Sequence, residues 1–276
     1  LVFLAVSAIL NIAWDLLFVA VFHWGIAGAA YATIFAQYVS GIGILLYILF
    51  RCRSLFPERK DLCFDGGILK EIAGLSSLTC LQQSVMNFGI LMVQGLVNSF
   101  GATTMAAFAA AVKIDTFAYL PVQDFGNAYS TFIAQNYGAG NKERNHRGTK
   151  ESFAISTAFS LVISALVFAF AAPLMQIFVS SAETAVIASG VRYLRIEGAF
   201  YFGIGCLFLL YGYFRAVNKP VVSVILTVIS LGMRVALAYG LTEIAGVGVT
   251  GIWISIPIGW FLADFAGIIF YRRNQY

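Results

Sequence analysis

Three residues near the start of the chain have the types and spacing to hold a cation inside an apolar environment. Asn11 and Asp15 are four residues apart, so on a helix they stack on one face. Thr33 lies beyond the corner at His23–Gly25, and the stretch NIAWDLLFVAVFHWGIAGAAYAT reads as one apolar helix, a glycine corner and a second helix. Asp15 stands ten residues before Gly25 and Thr33 eight after it. At a rise of about 1.5 Å per residue their depths below the corner differ by roughly 3 Å, so a carboxylate, an amide and a hydroxyl converge. These are hard oxygen ligands, suited to Na+ or to a proton carried by Asp15 with hydrogen-bonding supports. A charge among Trp14, Leu16, Leu17, Phe18 and Val19 is costly and is retained where it functions. The alternative is that Asp15 only caps or pairs within a helix bundle.

A second set of groups lies further along. Lys113 and Asp124 are eleven apart, close to three helical turns, and share a face with Asp115 nearby; Pro121 between them is expected to kink or loosen the helix. Arg234 and Asp264 sit on later apolar segments. Buried opposite charges normally pair, Arg234 with Asp115 being the pairing expected of a structural network; a direct role in substrate or proton binding is the alternative. Gln83, Asn87 and Gln94 recur at about helical spacing, as cavity polar groups or interhelical hydrogen bonds. Phe117, Tyr119, Tyr129, Phe200, Tyr201 and Trp260 could line a cavity for flat cationic compounds, although with 25 Phe and 13 Tyr most aromatic rings must face lipid or core. Glu197, beside Arg192 and Arg195, reads as an interfacial cluster near the outer surface, and His23 as a solvated corner residue.

The elements that must position these groups follow from composition. Only 11% of residues are charged against about 25% in soluble domains, 60% are hydrophobic and the mean hydropathy is +0.86, which makes this an integral membrane protein. No run alternates as barrel strands do, leaving helices to satisfy the backbone in lipid. With about 20 residues needed per crossing, eight spans are expected near 1–22, 28–50, 72–98, 103–137, 152–179, 191–216, 221–241 and 248–271. Alternate connections hold 13 of the 17 Lys and Arg, the others none, so the basic side, with the C-terminus, is expected to be cytoplasmic. The chain lacks HExxH, GxSxG and P-loop patterns, has two His, and its aspartates form no paired protease motif, so enzyme chemistry has little support. Cys52, Cys63, Cys80 and Cys206 show no CxxC spacing and read as small hydrophobes or loop thiols, with no metal expected beyond Na+ at Asp15 and no cofactor. The net charge of +4 follows membrane topology and calls for no nucleic-acid partner. A channel or scaffold would explain the helices but not the carboxylate hairpin.

The polar stretch from Arg51 to Gly67 divides the chain, giving a hairpin at 1–50, a linker at 51–70 and a six-helix lobe at 71–276. Sliding the chain on itself by 223 residues lays Gly25 on Gly248 and Gly28 on Gly251, as if the hairpin closed one lobe and residues 221–271 closed another. At that offset Asn11 falls on Arg234, Asp15 on Ala238 and Thr33 on Ile256, so the later lobe is expected to lack this site. The chain begins at Leu1 inside an apolar run, as a fragment lacking four earlier helices would.

These stretches, taken together, resemble one family. The N-x-x-x-D pattern of Asn11 and Asp15 leading to GIAGAAYAT, the run from Met105 to Arg144 ending in AQNYGAGNKER, QQSVMNFGILMVQGLVNSFG, YLRIEGAFYF and GVTGIWISIPIGW are similar to the multidrug and toxic compound extrusion (MATE) transporters. The resemblance implies twelve helices in two lobes forming an inverted V, and alternating-access export of organic, in part cationic, compounds across the plasma membrane against Na+ or H+. It also implies a monomer surrounded by lipid, with Asn11, Asp15 and Thr33 in the first-lobe cation site. A lipid-linked saccharide or lipid flippase of the same superfamily is the alternative, and would call for more cavity cations than Lys113 and Arg234.

Overall fold

The computed structural model describes residues 2–52 and 64–273. Among the described residues the protein is all-helical: α1 (Val2–Asp15), α2 (Gly25–Arg51), α3 (Gly66–Ser99), α4 (Ala102–Gly138), α5 (Lys142–Phe178), α6 (Thr184–Gly198), α7 (Tyr201–Ala216), α8 (Pro220–Thr242) and α9 (Val249–Arg273). A π-helical turn, Leu16–Val21, continues α1 to the corner. Among the described residues seven helices are long and apolar enough to cross a membrane, α1 taken with its π turn, and α6 with α7 would make an eighth span bent by 51°. Most of the expected linker, with Cys63, lies outside the described residues.

Two expected spans differ from the structure. The stretch 191–216 is not one helix: α6 starts earlier, at Thr184, and the chain breaks at Phe200 (φ −120°, ψ 19°) before α7. Gly198 is wedged against Val167 there, leaving 3.1 Å for an added Cβ, and Tyr201 is tied to α4 by its hydroxyl. The polar stretch from Lys142, expected as a loop before a span at 152, is the first part of α5. Asn141 caps it, its side-chain oxygen accepting from the Arg144 N–H at 3.0 Å, so the helix begins well before its apolar section. α4 continues as a helix through Pro121; in α5 the backbone leaves helical geometry at Phe170 (φ −102°, ψ 17°), three residues before Pro173.

Contacts divide the chain into two compact units between Ile68 and Leu69. In the first, α1 and α2 pack as a hairpin along a stripe of small residues on α2, Gly28, Ala32, Ala36 and Ser40, the Ser7 hydroxyl donating to the Ala36 carbonyl at 2.8 Å. In the second, α4 is the hub, its alanine-rich face packing on α5, α6 and α7, while α8 and α9 form a hairpin against α7. Gly126 and Gly212 let α4 and α7 approach so closely that a Cβ on Gly212 would lie 2.7 Å from the Gly126 carbonyl. The Gln82 amide donates to Thr227 at 3.0 Å and Gly89 sits under Leu231, joining α3 to α8.

Candidate functional site

Hairpin α1–α2 brings two of the three expected ligands into contact. The Asn11 side-chain amide donates to the Thr33 hydroxyl at 3.4 Å, and that hydroxyl donates to the Ala29 carbonyl at 3.0 Å. Thr33 thus spends its single proton on its own helix and turns lone pairs outward. Asp15, one turn beyond Asn11, is the last residue of α1; it makes no capping bond, and one carboxylate oxygen is enclosed without a hydrogen-bond partner. An acceptor shut off from water and left unmatched favours a proton or a cation beside it. The π turn starts at the next residue, Leu16. Such turns are rare interruptions of the α ladder and concentrate at functional positions.

The α8–α9 hairpin repeats this framework at the 223-residue offset. Gly25 has φ +57° and Gly248 φ +49°, both in the left-handed region that a corner needs and glycine tolerates. Three residues on, a Cβ on Gly28 would meet Phe18 at 3.0 Å, and one on Gly251 would meet Leu241 at 2.8 Å; Phe18 and Leu241 are themselves 223 apart. The chemistry is not repeated. Arg234 stands where Asn11 stands in the first hairpin, and the counterparts of Asp15 and Thr33 are Ala238 and Ile256, both fully buried in the apolar core.

The second unit instead holds a cavity of about 470 Å³ among α3, α4 and α6 to α9. Asp115 and Lys113 enter it from α4, Glu197 from α6 and Arg234 from α8, with Tyr119, Tyr193, Tyr201 and Trp260 in its walls. Asp115 is buried and accepts a hydrogen bond from the Tyr201 hydroxyl. Its other carboxylate oxygen, one oxygen of Glu197 and the Nε of Arg234 are all enclosed without hydrogen-bond partners. Among the described residues no direct ion pair joins Arg234 to Asp115, although Arg234, Asp115 and Glu197 line the same cavity. The Lys113 ammonium lies 5.9 Å above the Phe178 ring.

Several expectations are corrected here. Glu197 is no interfacial residue: it is 7% exposed, whereas Arg192 and Arg195 are on the exposed side of α6. Tyr193 and Glu197 are four residues apart on α6, and that spacing was the signal that could have placed Glu197 inward. Asp124 is exposed and absent from the cavity wall, so it does not join Lys113 there. Asp264 is buried on α9 against Gly203 of α7, outside the cavity, with one oxygen unpartnered. Gln83 and Asn87 are exposed; α3 presents Met86, Ile90 and Gln94 to the cavity, a face rotated by one residue from the expected one. Among the aromatics, Tyr119, Tyr201 and Trp260 line the cavity, Tyr129 is buried against Thr149, and Phe117 is 77% exposed.

Comparison with known proteins decides the family. The sequence model of the family described as MatE matches residues 78–240, more than half of the chain. The chain belongs to the MatE family. It is 30% identical over 276 residues to the "Probable multidrug resistance protein YpnP" of Bacillus subtilis (strain 168), covering 99% of this chain and 60% of that protein. It is 27% identical over 254 residues to the "Probable multidrug resistance protein NorM" of Thermotoga maritima, covering 91% of this chain and 54% of the other. Its fold matches that of a solved structure described as the outward-facing conformation of a multidrug resistance MATE family transporter, with a TM-score of 0.92 and 24% identity, over 99% of this chain and 61% of that one. The chain thus spans about 54–60% of the length of these curated relatives. The matched MatE region begins inside α3 and ends inside α8, so it takes in Asp115, Glu197 and Arg234 but not the α1–α2 hairpin.

Proposed function

We propose that the protein carrying this chain exports drugs or other organic compounds across the plasma membrane by alternating access, acts as a monomer, and draws its driving force from Na+ or H+ bound at Asn11, Asp15 and Thr33. The observation that carries this reading is the enclosed, unpartnered oxygen of Asp15 at the point where α1 passes into a π turn, one helical turn from the Asn11–Thr33 contact. A proton or Na+ there satisfies the carboxylate; its departure leaves a bare charge in an apolar hairpin, and repacking of α1 against α2 is the means of relief. Cation and exported compound thereby favour opposite states of the transporter. The relatives' names as multidrug resistance proteins support the substrate class. The basic residues at one set of helix ends in the second unit, Lys142, Arg215 and Arg272 among them, support a cytoplasmic C-terminus.

The test is drug survival of efflux-deficient cells expressing the full-length protein or its Asp15→Asn variant. Asparagine keeps the shape and cannot take up a proton or balance a cation, so resistance is expected to fall to that of cells without the transporter at equal membrane expression. Full resistance in the variant removes Asp15 from the coupling role.

A further inference from the structure

A second cavity, of about 320 Å³, opens where α4 ends and α5 begins, and shares no lining residue with the interior one. Its walls are the end of α4, the start of α5 and the last turns of α7 and α9. Along α5 the residues lining it are Lys142, Glu143, Asn145, His146 and Thr149, four of them on the i, i+3, i+4, i+7 stripe with which a packed helix ordinarily presents apolar side chains. Here every position is polar.

The neighbouring cations are engaged elsewhere: Arg144 lies over the Phe132 ring at 5.5 Å, and Arg147 pairs with Glu151 at 2.8 Å. Lys142 brings an ammonium and His146 a ring N–H to the cavity wall, one turn apart, and together they suit a phosphate. The same cavity also asks for a donor. The side-chain oxygen of Asn145 is enclosed and has no partner, and Glu143 stands in the lining. Opposite them the rings of Tyr213 and Tyr271 pack edge to face at 4.8 Å, a surface on which an ammonium is attracted. An inorganic anion would satisfy only the first half of this set. The helix ends around it carry Arg215, Lys219, Arg272 and Arg273, the level at which lipid headgroups meet a membrane protein.

We propose that this cavity binds the headgroup of a phosphoethanolamine lipid from the adjoining leaflet, with the phosphate on Lys142 and His146 and the ammonium on Asn145, Glu143 and the tyrosine pair. Its volume lies at the lower end of small-molecule sites, which run from about 300 Å³. No residue of the α1–α2 hairpin lines the cavity, and its occupancy can be read without transport.

The experiment measures lipid retention by native mass spectrometry on the purified, delipidated full-length protein. The probes are short-chain phosphatidylethanolamine, phosphatidylcholine and phosphatidylglycerol, with inorganic phosphate as soluble competitor. Trimethylation removes the ammonium's hydrogens and leaves its charge, so phosphatidylethanolamine is expected to bind about tenfold more tightly than phosphatidylcholine, the worth of one charge-assisted hydrogen bond. The Lys142→Ala/His146→Ala variant should lose about tenfold for both lipids, and Glu143→Gln should narrow the difference between them. Arg147→Ala, outside the cavity, should change neither and reports on folding. Equal retention of the two zwitterionic lipids, stronger binding of phosphatidylglycerol, undiminished binding by the double variant, or displacement by inorganic phosphate at the lipid's own affinity overturns the proposal, the last by assigning the site to a free anion.

Discussion

The two hairpins, α1–α2 and α8–α9, share a backbone and part in chemistry. Each turns on a glycine with positive φ, each packs a second glycine three residues later against the partner helix, and each lines its second helix with small side chains. Close helix approach is therefore what the repeat has kept. What differs sits on the first helix of each pair: Asn11 and Asp15, followed by a π turn, against Arg234 and Ala238 in an uninterrupted α-helix. Arg234 supplies the second unit with a cation of its own in the cavity that Asp115 and Glu197 line, whereas the first hairpin presents an amide, a hydroxyl and an unpartnered carboxylate oxygen, the set that the proposed cation would take. The comparison teaches that a shared frame fixes where a charged group can stand and leaves its sign open.

The comparison can be broken at its strongest point first. Asp15→Asn in the full-length protein is expected to eliminate export in whole-cell drug-accumulation assays, while Ala238→Ser at the matching position should leave it near wild type. Next is the frame. Gly28→Ala and Gly251→Ala each place a Cβ about 3 Å from the partner helix and should destabilise the protein by similar amounts, about 1–3 kcal/mol, measured as denaturant midpoints in detergent. Markedly unequal losses would deny that the two corners do the same packing work. Smaller effects belong to the supports: Asn11→Ala or Thr33→Ala removes one neutral hydrogen bond and should weaken apparent cation affinity by about fivefold, roughly 1 kcal/mol. Smallest of all, Gln83→Ala and Asn87→Ala, on the exposed side of α3, should leave ligand binding in the interior cavity unchanged, whereas Gln94→Ala should weaken it in an equilibrium binding assay.

Much of the fold was legible because hydropathy over some twenty residues is a long, redundant signal: α1 through α4, α8 and α9 fall within a few residues of the spans expected, α3 excepted at its start. The break between α6 and α7 was not, since no proline marks it and the sequence is apolar across it; it arises from Gly198 packed on Val167 and the bond from Tyr201 to Asp115, which are tertiary facts. The long start of α5 was missed because polarity ends a membrane span without ending a helix. Asn11 and Thr33 could be paired from spacing alone since the glycine corner fixes the hairpin's register. Glu197 was misplaced by its sequence neighbours Arg192 and Arg195; helical periodicity along α6 puts Tyr193, not the arginines, on its face. The rotated face of α3 reflects a helix exposed over most of its surface, where one residue of phase is not set by the polar pattern.

The central claim is that coupling belongs to the first hairpin alone. It is tested most directly by reconstituting the full-length protein and measuring how far an imposed Na+ or H+ gradient stimulates drug export, in wild type, Asp15→Asn and Glu197→Gln. Stimulation is expected to vanish in Asp15→Asn and to persist in Glu197→Gln, even where the latter exports more slowly at every gradient. Stimulation that survives in Asp15→Asn and disappears in Glu197→Gln would place the coupling in the second unit and contradict the account.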